Sequence, residues 1–299
     1  MTLSSFKNYI SFEKRFSPHT VKAYEADIIQ ALDYLRETFE LTELSEVRHP
    51  HLRSWLVDLV RKKQSARSIN RKISSVRAYF KFLLRRGEIL TNPTKRLKAL
   101  KLPKRLPVYL QESETELLLS QDFISSDNRQ DSFSHLRDHI ILQTLYVSGM
   151  RRSELINLKE DDIDFTGNSY RVTGKGGKIR LVPFSDKHKD DLQKYLQAKH
   201  DLFEDGMQEV FVTDKGSKLY PKFVYNLVSK RVGNISSLGQ RGPHTLRHTF
   251  ATHLANGGAD LNAIKDLLGH TSLSATQIYT HNSIEKLKLA YSKAHPKAG

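Results

Sequence analysis

The 299-residue chain contains no cysteine, which excludes disulfides, thiolate catalysis and cysteine-based zinc sites. No apolar run approaches the roughly 20 residues that a membrane-spanning helix needs. The first residues, MTLSSFKNYISFEKRF, lack the apolar stretch of a signal peptide. We therefore expect a cytoplasmic protein with no membrane partner.

Acidic residues are scarce relative to basic ones, with 33 Asp and Glu against 48 Lys and Arg and a net charge of +15. Residues 61–105 hold sixteen Lys and Arg and one acid, Glu88, so the net charge of this stretch equals that of the whole chain. So dense a basic stretch favours nucleic acid as a partner over a solvated basic face or a membrane surface.

Residues 1–90 show the apolar spacing of helices. Helices are predicted from about Ser4, from Ser17-Pro18 with Ser17 as the N-cap, over 49–62, and over 65–86. Pro93, Pro103 and Pro107 then predict an extended basic linker over 91–108.

The helix over 65–86 is the candidate DNA-binding element of this half. Its predicted buried stripe consists of Ile69, Ile73, Val76, Phe80 and Leu83. Ser74 and Ser75 keep part of the surface small, which would allow close approach to a DNA groove. An ordinary amphipathic helix with a basic solvent face is the alternative. The candidate DNA contacts are Arg67, Arg71, Arg77, Lys81 and Arg85.

Residues 109–299 combine helical patterns with one β-hairpin, SYRVTGKGGKIRLVPF. The expected fold class is therefore mainly α with a small β-sheet. Four short motifs in this half are candidates for chemistry, although each is a weak signal alone. They are GMRRSE at 149–154, TGKGGK at 173–178, HTLRH at 244–248 and LGH…Y at 268–279.

TGKGGK is not a phosphate-binding P-loop, because Lys178 is followed by Ile179 and both flanks are strands. A hairpin-tip lysine that can swing into a site describes it better. His244 and His248 have the spacing of a metal pair, but Arg247 between them would repel a cation. Arg247 fits better as an anion clamp, with His244 holding or moving a proton.

The motifs together offer two arginines, a lysine, two histidines and a tyrosine, without an obvious carboxylate cluster for a metal. Fixed cations of this kind can neutralise the charge that develops at a phosphodiester under attack. A tyrosine nucleophile would keep the phosphodiester energy in a covalent bond, which favours strand exchange over hydrolysis. No metal or other cofactor is expected.

In their order, the motifs resemble those of the tyrosine recombinases, and THLANGGADLNAIKDLLGHTSLSATQIYTH resembles the Xer-type site-specific recombinases. The resemblance extends to SPHTVKAYEADI near the start. It implies a helical, SAM-like core-binding domain over 1–90 and an α+β catalytic domain over 109–299. Because SPHT begins at residue 17, we expect no additional arm-binding domain, which favours a simple recombinase over a phage integrase with arm sites.

The resemblance also implies roles for single residues. Arg151 and Arg247 would hold the scissile phosphate, while His244 assists proton transfer and His270 contacts a non-bridging oxygen. Tyr279 would be the nucleophile. Glu154 would orient the site, and Lys175 would protonate the leaving 5′-oxygen, with Lys178 as a competitor that spacing does not remove.

The implied partner is double-stranded DNA with a specific recombination site, bound by a homo- or hetero-tetramer. A second Xer-type recombinase and a septal DNA translocase are further implied partners. The expected role is chromosome dimer resolution. The alternatives are an integrase or resolvase of a mobile element and a catalytically inactive DNA-binding protein. The tail IEKLKLAYSKAHPKAG would dock onto a neighbouring subunit or onto its own domain through Ile284, Leu287 and Leu289.

Overall fold

The computed structural model describes residues 2–102, 108–120, 129–174, 177–203, 207–239, 241–269 and 281–297. The chain divides into two compact units, the N-terminal unit Met1–Arg105 and the C-terminal unit Leu106–Gly299. Among the described residues, no helix is long and apolar enough to cross a membrane.

The N-terminal unit is built from helices. They are α1 Thr2–Asn8, which continues into a π-helical turn at Tyr9–Glu13, α2 Pro18–Phe39, α3 His49–Arg61 and α4 Ala66–Arg85. Ser17 caps α2 by accepting a hydrogen bond from the Thr20 amide at 3.3 Å, as predicted, and Ser65 caps α4 in the same way. The predicted stripe of α4 is confirmed, because all five of its residues are buried in the core of this unit.

A buried carboxylate joins α2 to α4. Asp27 is 1% exposed and accepts hydrogen bonds from Arg71, Lys72 and Ser75. Burial of an unpaired carboxylate would be strongly unfavourable, and these donors offset that penalty. The prediction that Ser75 lies on the surface of α4 is therefore wrong, because its hydroxyl is needed inside, whereas Ser74 is exposed.

The chain after α4 returns along that helix. Leu97 is buried in the core of the N-terminal unit, and Arg77 donates to its carbonyl oxygen. Asn70 also bonds the backbone of Leu100, with its amide nitrogen 2.9 Å from the carbonyl and its amide oxygen 2.7 Å from the N–H. The described part of the predicted linker, up to residue 102, thus packs on α4 through residues 97–100 rather than running free.

The C-terminal unit surrounds one larger core. Its helices are α5 Glu112–Leu119, α6 Arg129–Ser148, α7 Arg152–Ile156, α8 Asp186–Leu202, α9 Pro221–Ile235, α10 Pro243–Asn256, α11 Leu261–Leu268 and α12 His281–Ala294. Its antiparallel sheet has the order β1 Ile163–Asp164, β2 Ser169–Thr173, β3 Ile179–Pro183. The β2–β3 pairing runs from Ser169 opposite Pro183 to Thr173 opposite Ile179, which confirms the predicted hairpin and fold class.

The C-terminal helix α12 packs on the core of its own unit. Leu287, Tyr291 and Ala294 are buried there, whereas Leu289 is 54% exposed. Gly257 allows the close approach, because a Cβ at that position would lie 2.3 Å from the carbonyl oxygen of Ala294. Of the two docking modes that the tail sequence allows, this structure contains the one within the chain.

Candidate active site

The first predicted arginine, Arg151, sits where α6 gives way to α7. Gly149 makes the turn with a φ of +57°, and a Cβ there would lie 2.5 Å from the ring of Phe250. Arg151 is the N-cap of α7, and its backbone N–H donates to Oε2 of Glu154 at 2.8 Å. Its Nη1 donates to Oε1 of the same carboxylate at 2.7 Å. Glu154 therefore orients both the backbone and the side chain of Arg151.

A buried arginine outside the four sequence motifs, Arg180 on β3, holds the other side of Glu154. Its Nη1 and Nη2 donate to Oε1 and Oε2 at 3.1 and 2.7 Å. Burial by itself would raise the pKa of the Glu154 carboxyl, but the hydrogen bonds and charges of Arg180 and Arg151 outweigh it and lower that pKa. Glu154 is therefore ionised at neutral pH.

The strand pattern offered a signal for Arg180. In IRLVP, Arg180 and Val182 point to the same face of β3, and that face is buried. An arginine at an inward position of a strand needs an acidic partner, and Glu154 is that partner.

The second predicted arginine, Arg247, lies on α10 and is 9% exposed. Its Nη1 donates to the carbonyl of Gly149 and its Nη2 to that of Leu268, both at 2.5 Å. Burial lowers the pKa of this guanidinium to about 10, with further contributions from the charges of Arg151 and Arg180. Arg247 therefore remains protonated at neutral pH.

The structure thus brings Arg151, Glu154 and Arg247 together and adds Arg180. Three guanidinium groups and one carboxylate leave this arginine cluster with an excess of two positive charges. Arginines fixed by hydrogen bonds to the protein are suited to bind phosphate oxygens and to stabilise negative charge that develops on them.

The tip of the β2–β3 hairpin lies beside this cluster. A Cβ on Gly174 would be 3.6 Å from Oε1 of Glu154 and 3.7 Å from Nη1 of Arg180. The turn is closed by a hydrogen bond from the Gly174 N–H to the carbonyl of Lys178 at 2.7 Å. Lys178 is exposed, and Lys175 lies outside the described residues. Both lysines remain candidates for the proton donor.

The histidines of HTLRH differ in their surroundings. His244 is exposed on the first turn of α10, three residues before Arg247. His248 is half-buried, and its Nε2 has no hydrogen-bond partner among the described residues. Within that part of the chain, no group of three or more His, Asp or Glu residues could hold a metal ion.

His270 and Tyr279 lie outside the described residues. The end of α11, just before His270, is bonded to the arginine cluster. The carbonyl oxygen of Leu267 accepts a hydrogen bond from Arg180, and that of Leu268 accepts one from Arg247. Gly269 ends α11 with a φ of +64° and is the residue before His270.

The predicted DNA-binding residues of α4 are all exposed, but three of them are held by the protein. Arg71 pairs with Asp27, Arg77 binds the carbonyl of Leu97, and Arg85 donates to the hydroxyl of Tyr9 at 2.9 Å. Arg67 and Lys81 show no hydrogen bond or ion pair to a described residue. Contact of this set with DNA stays a prediction.

Comparison with known proteins decides the family. The model of the phage integrase family matches residues 109–286, and that of the phage integrase N-terminal SAM-like domain matches residues 3–87. The XerC tyrosine recombinase of Staphylococcus aureus is 37% identical over 301 residues, covering 98% of this chain and 96% of the relative. That of Chlorobaculum parvum is 34% identical over 317 residues, covering 99% and 94%.

The chain belongs to the phage integrase family. It is an enzyme of the tyrosine recombinase class, as predicted. Two solved recombinase structures share its fold. XerH bound to palindromic difH substrate in a post-cleavage complex has a TM-score of 0.73 at 22% identity, covering 97% of this chain and 84% of that one. The Tn1549 transposon integrase with circular intermediate DNA has a TM-score of 0.71 at 20% identity, covering 95% and 97%.

Proposed function

We propose that this tyrosine recombinase cleaves and rejoins DNA at a specific site through a 3′-phosphotyrosyl link to Tyr279. The observation that carries the proposal is the joint placement of Arg151 and Arg247. Arg247 binds the carbonyl of Gly149, in the turn that leads to Arg151, so the two guanidinium groups belong to one fixed unit. Two fixed cations on one phosphate would stabilise the negative charge of the five-coordinate transition state.

In the proposed reaction, the Tyr279 oxygen attacks the scissile phosphorus and the bond from phosphorus to the 5′-oxygen breaks. His244 assists removal of the tyrosine proton, and His270 contacts a non-bridging oxygen. Lys175 or Lys178 gives a proton to the leaving 5′-oxygen. The 5′-hydroxyl of the partner duplex then attacks the phosphotyrosine and releases Tyr279. Two such rounds, through a Holliday junction, exchange both strands, and the chemistry calls for neither ATP nor a metal ion.

The basic face of α4 supports DNA as the partner of the N-terminal unit, since Arg67, Arg71, Arg77, Lys81 and Arg85 are all exposed. We place the core-binding domain at 1–90, the linker at 91–108 and the catalytic domain at 109–299. A tetramer would join two duplexes, with either four copies of this chain or two each of this chain and a second Xer-type recombinase. A septal DNA translocase would be its activator in the cytoplasm.

We infer chromosome dimer resolution as the cellular role. The support is that the full-length relatives at 34 to 37% identity carry the XerC name. Sequencing the DNA bound by this protein in cells tests the role. A single site near the replication terminus is expected, and binding at the ends of a mobile element would contradict it.

The covalent step is tested with a nicked suicide duplex that carries the site found in cells. The wild-type protein should form a denaturation-resistant adduct with DNA, and Tyr279→Phe should bind the duplex without forming it. Tyr220→Phe is the matched control, because Tyr220 is 54% exposed and lies outside the proposed site. An adduct in Tyr279→Phe would refute the nucleophile, and DNA binding without an adduct in the wild type would favour an inactive binding protein.

A further inference from the structure

Arg180 is a buried cation without an assigned role in the reaction. It is 3% exposed, so a DNA phosphate cannot reach it directly without a rearrangement. Its three hydrogen bonds go to the protein, from Nη1 and Nη2 to the two oxygens of Glu154 and from Nε to the carbonyl of Leu267 at 2.7 Å. An arginine fork that is fully engaged in this way fixes the positions of its partners.

These partners belong to segments that are distant in sequence. Glu154 orients Arg151 through two hydrogen bonds, and Leu267 precedes Leu268, whose carbonyl binds Arg247. Arg180 itself lies on β3, six residues after Gly174 at the hairpin tip. The Arg180 side chain therefore connects β3 with two groups, the carboxylate that orients Arg151 and the end of α11 that binds Arg247.

Gly269 shows how closely this packing is built. A Cβ at Gly269 would lie 3.2 Å from Cδ and 3.3 Å from Nη1 of Arg180, and the φ of +64° also favours glycine. The end of α11, immediately before His270, thus rests directly on the Arg180 side chain.

Charge gives Arg180 a second effect on the cluster. Glu154 lies 2.7 Å from both Arg151 and Arg180, so its negative charge is shared between two guanidinium groups. Without Arg180, the same carboxylate would neutralise Arg151 alone. The excess charge of the cluster would fall from two to one, which would weaken its stabilisation of the negative charge that develops on the scissile phosphate during cleavage.

We propose that Arg180 is a positioning residue for DNA strand cleavage, which holds Glu154 and the end of α11 so that Arg151 and Arg247 bind the same phosphate. This inference rests on the proposed function. It differs from a purely structural role because Arg180 variants that are still folded and bound to DNA should remain slow in the cleavage step.

The test compares Arg180→Met and Arg180→Lys with Arg171→Met, a control on the same hairpin whose side chain is 53% exposed and pairs with Asp162. Single-turnover cleavage of the nicked duplex is measured at saturating protein, together with the DNA dissociation constant and the melting temperature. Both Arg180 variants should lose roughly 10²–10³ in cleavage rate, as when one preorganised donor is removed. Their DNA affinity should stay within a few-fold of wild type, and Arg171→Met should cleave normally.

The lysine variant separates geometry from charge. One ammonium group restores the charge but cannot span Glu154 and Leu267 as the guanidinium fork does, so Arg180→Lys should remain defective. Normal cleavage by either Arg180 variant would overturn the proposal. A loss of cleavage that only follows the loss of folded, DNA-binding protein would overturn it as well, since it would show a structural role.

A double mutant and a modified substrate locate the effect. If Arg180 acts through Glu154, the double variant Arg180→Met, Glu154→Gln should cleave little more slowly than the slower of the two single variants. A double variant whose loss of cleavage rate is the product of the two single losses would contradict this.

A 5′-bridging phosphorothiolate substrate needs no proton on its leaving group. It should not rescue Arg180→Met, and rescue would show that Arg180 serves the lysine turn instead. Failure of the wild type to form any adduct would count against the proposed function, whereas a normal adduct in the Arg180 variants would count only against this inference.

Discussion

The guanidinium of Arg247 donates to the carbonyl oxygen of Gly149, two residues before Arg151. This bond connects α10 to the turn between α6 and α7. Both guanidinium groups can contact one phosphate only if their relative position is fixed. The hydrogen bond from Arg247 to the Gly149 carbonyl helps to fix it. The same turn requires glycine, because Phe250 of α10 occupies the space of a side chain there.

Replacing Arg247 by lysine should reduce cleavage by roughly 10²–10³ while DNA binding stays nearly unchanged. A lysine cannot bind the carbonyls of Gly149 and Leu268 and a phosphate oxygen together with the geometry of an arginine. Single-turnover cleavage measures the effect. Arg241→Lys is the matched control, since Arg241 is exposed and bonds only the local carbonyl of Leu238 among the described residues. Equal rates in both variants would count against the clamp.

Replacing Glu154 by glutamine should lower the free energy of unfolding by about 3–5 kcal/mol at neutral pH, as for other broken buried ion pairs. The folded-state pKa of Glu154 lies below its ordinary value of 4.5. The stabilisation from the ionised Glu154 carboxylate is therefore complete above pH 4.5 and is lost as the pH falls through the lowered pKa of the folded state. Urea unfolding of both proteins from neutral to acidic pH should show the difference shrinking only in acid. A difference in the free energy of unfolding that does not change with pH would show that Glu154 is not ionised in the folded protein.

Neutralising Arg67 and Lys81 to glutamine should weaken DNA binding and reduce its salt dependence by about one unit of slope per residue. Neither side chain supports the fold through a bond to a described residue, so the melting temperature should not change. Lys194→Gln on α8 is the control, with a side chain that is 72% exposed. An unchanged salt slope in the double variant would mean that this face of α4 does not contact DNA.

Arg71 should behave differently from Arg67. Its guanidinium is 2.6 Å from the buried carboxylate of Asp27, so Arg71→Gln removes part of the compensation for that charge. We expect a lower melting temperature together with weaker DNA binding. A variant with weaker binding and unchanged stability would show that Lys72 and Ser75 satisfy Asp27 without Arg71.

A methyl group at Gly257 should loosen α12. The added Cβ would lie 2.3 Å from the carbonyl oxygen of Ala294, so the helix must shift. Hydrogen exchange of residues 287–294 should accelerate in Gly257→Ala. Gly239→Ala is the control, because nothing lies within 4 Å of a Cβ there. Unchanged exchange in Gly257→Ala would mean that α12 is not held by this contact.

The sequence predicted those parts of the fold that local patterns determine. The apolar spacing of α4, the cap at Ser17 and the pairing of β2 with β3 each depend on neighbouring residues, and each is confirmed. Placement of Arg151, Glu154 and Arg247 in one site was expected from the resemblance of the ordered motifs to those of the tyrosine recombinases.

Features that depend on partners distant in sequence were missed. Arg180 can be buried because Glu154, 26 residues earlier, accepts its hydrogen bonds, and no local sequence pattern contains that pairing. Ser75 is turned inward by Asp27, which lies on another helix. The return of residues 97–100 along α4 likewise depends on Asn70 and Arg77, so proline content alone suggested a freer linker.

The most direct test of the account is to identify the residue that carries DNA in the covalent adduct. Trypsin should release residues 266–286, which contain a single tyrosine, Tyr279. After nuclease treatment, mass spectrometry of this peptide should show a nucleotide joined through its 3′-phosphate to Tyr279. A nucleotide on another residue, or cleaved DNA ending in a free phosphate with no protein attached, would contradict the account.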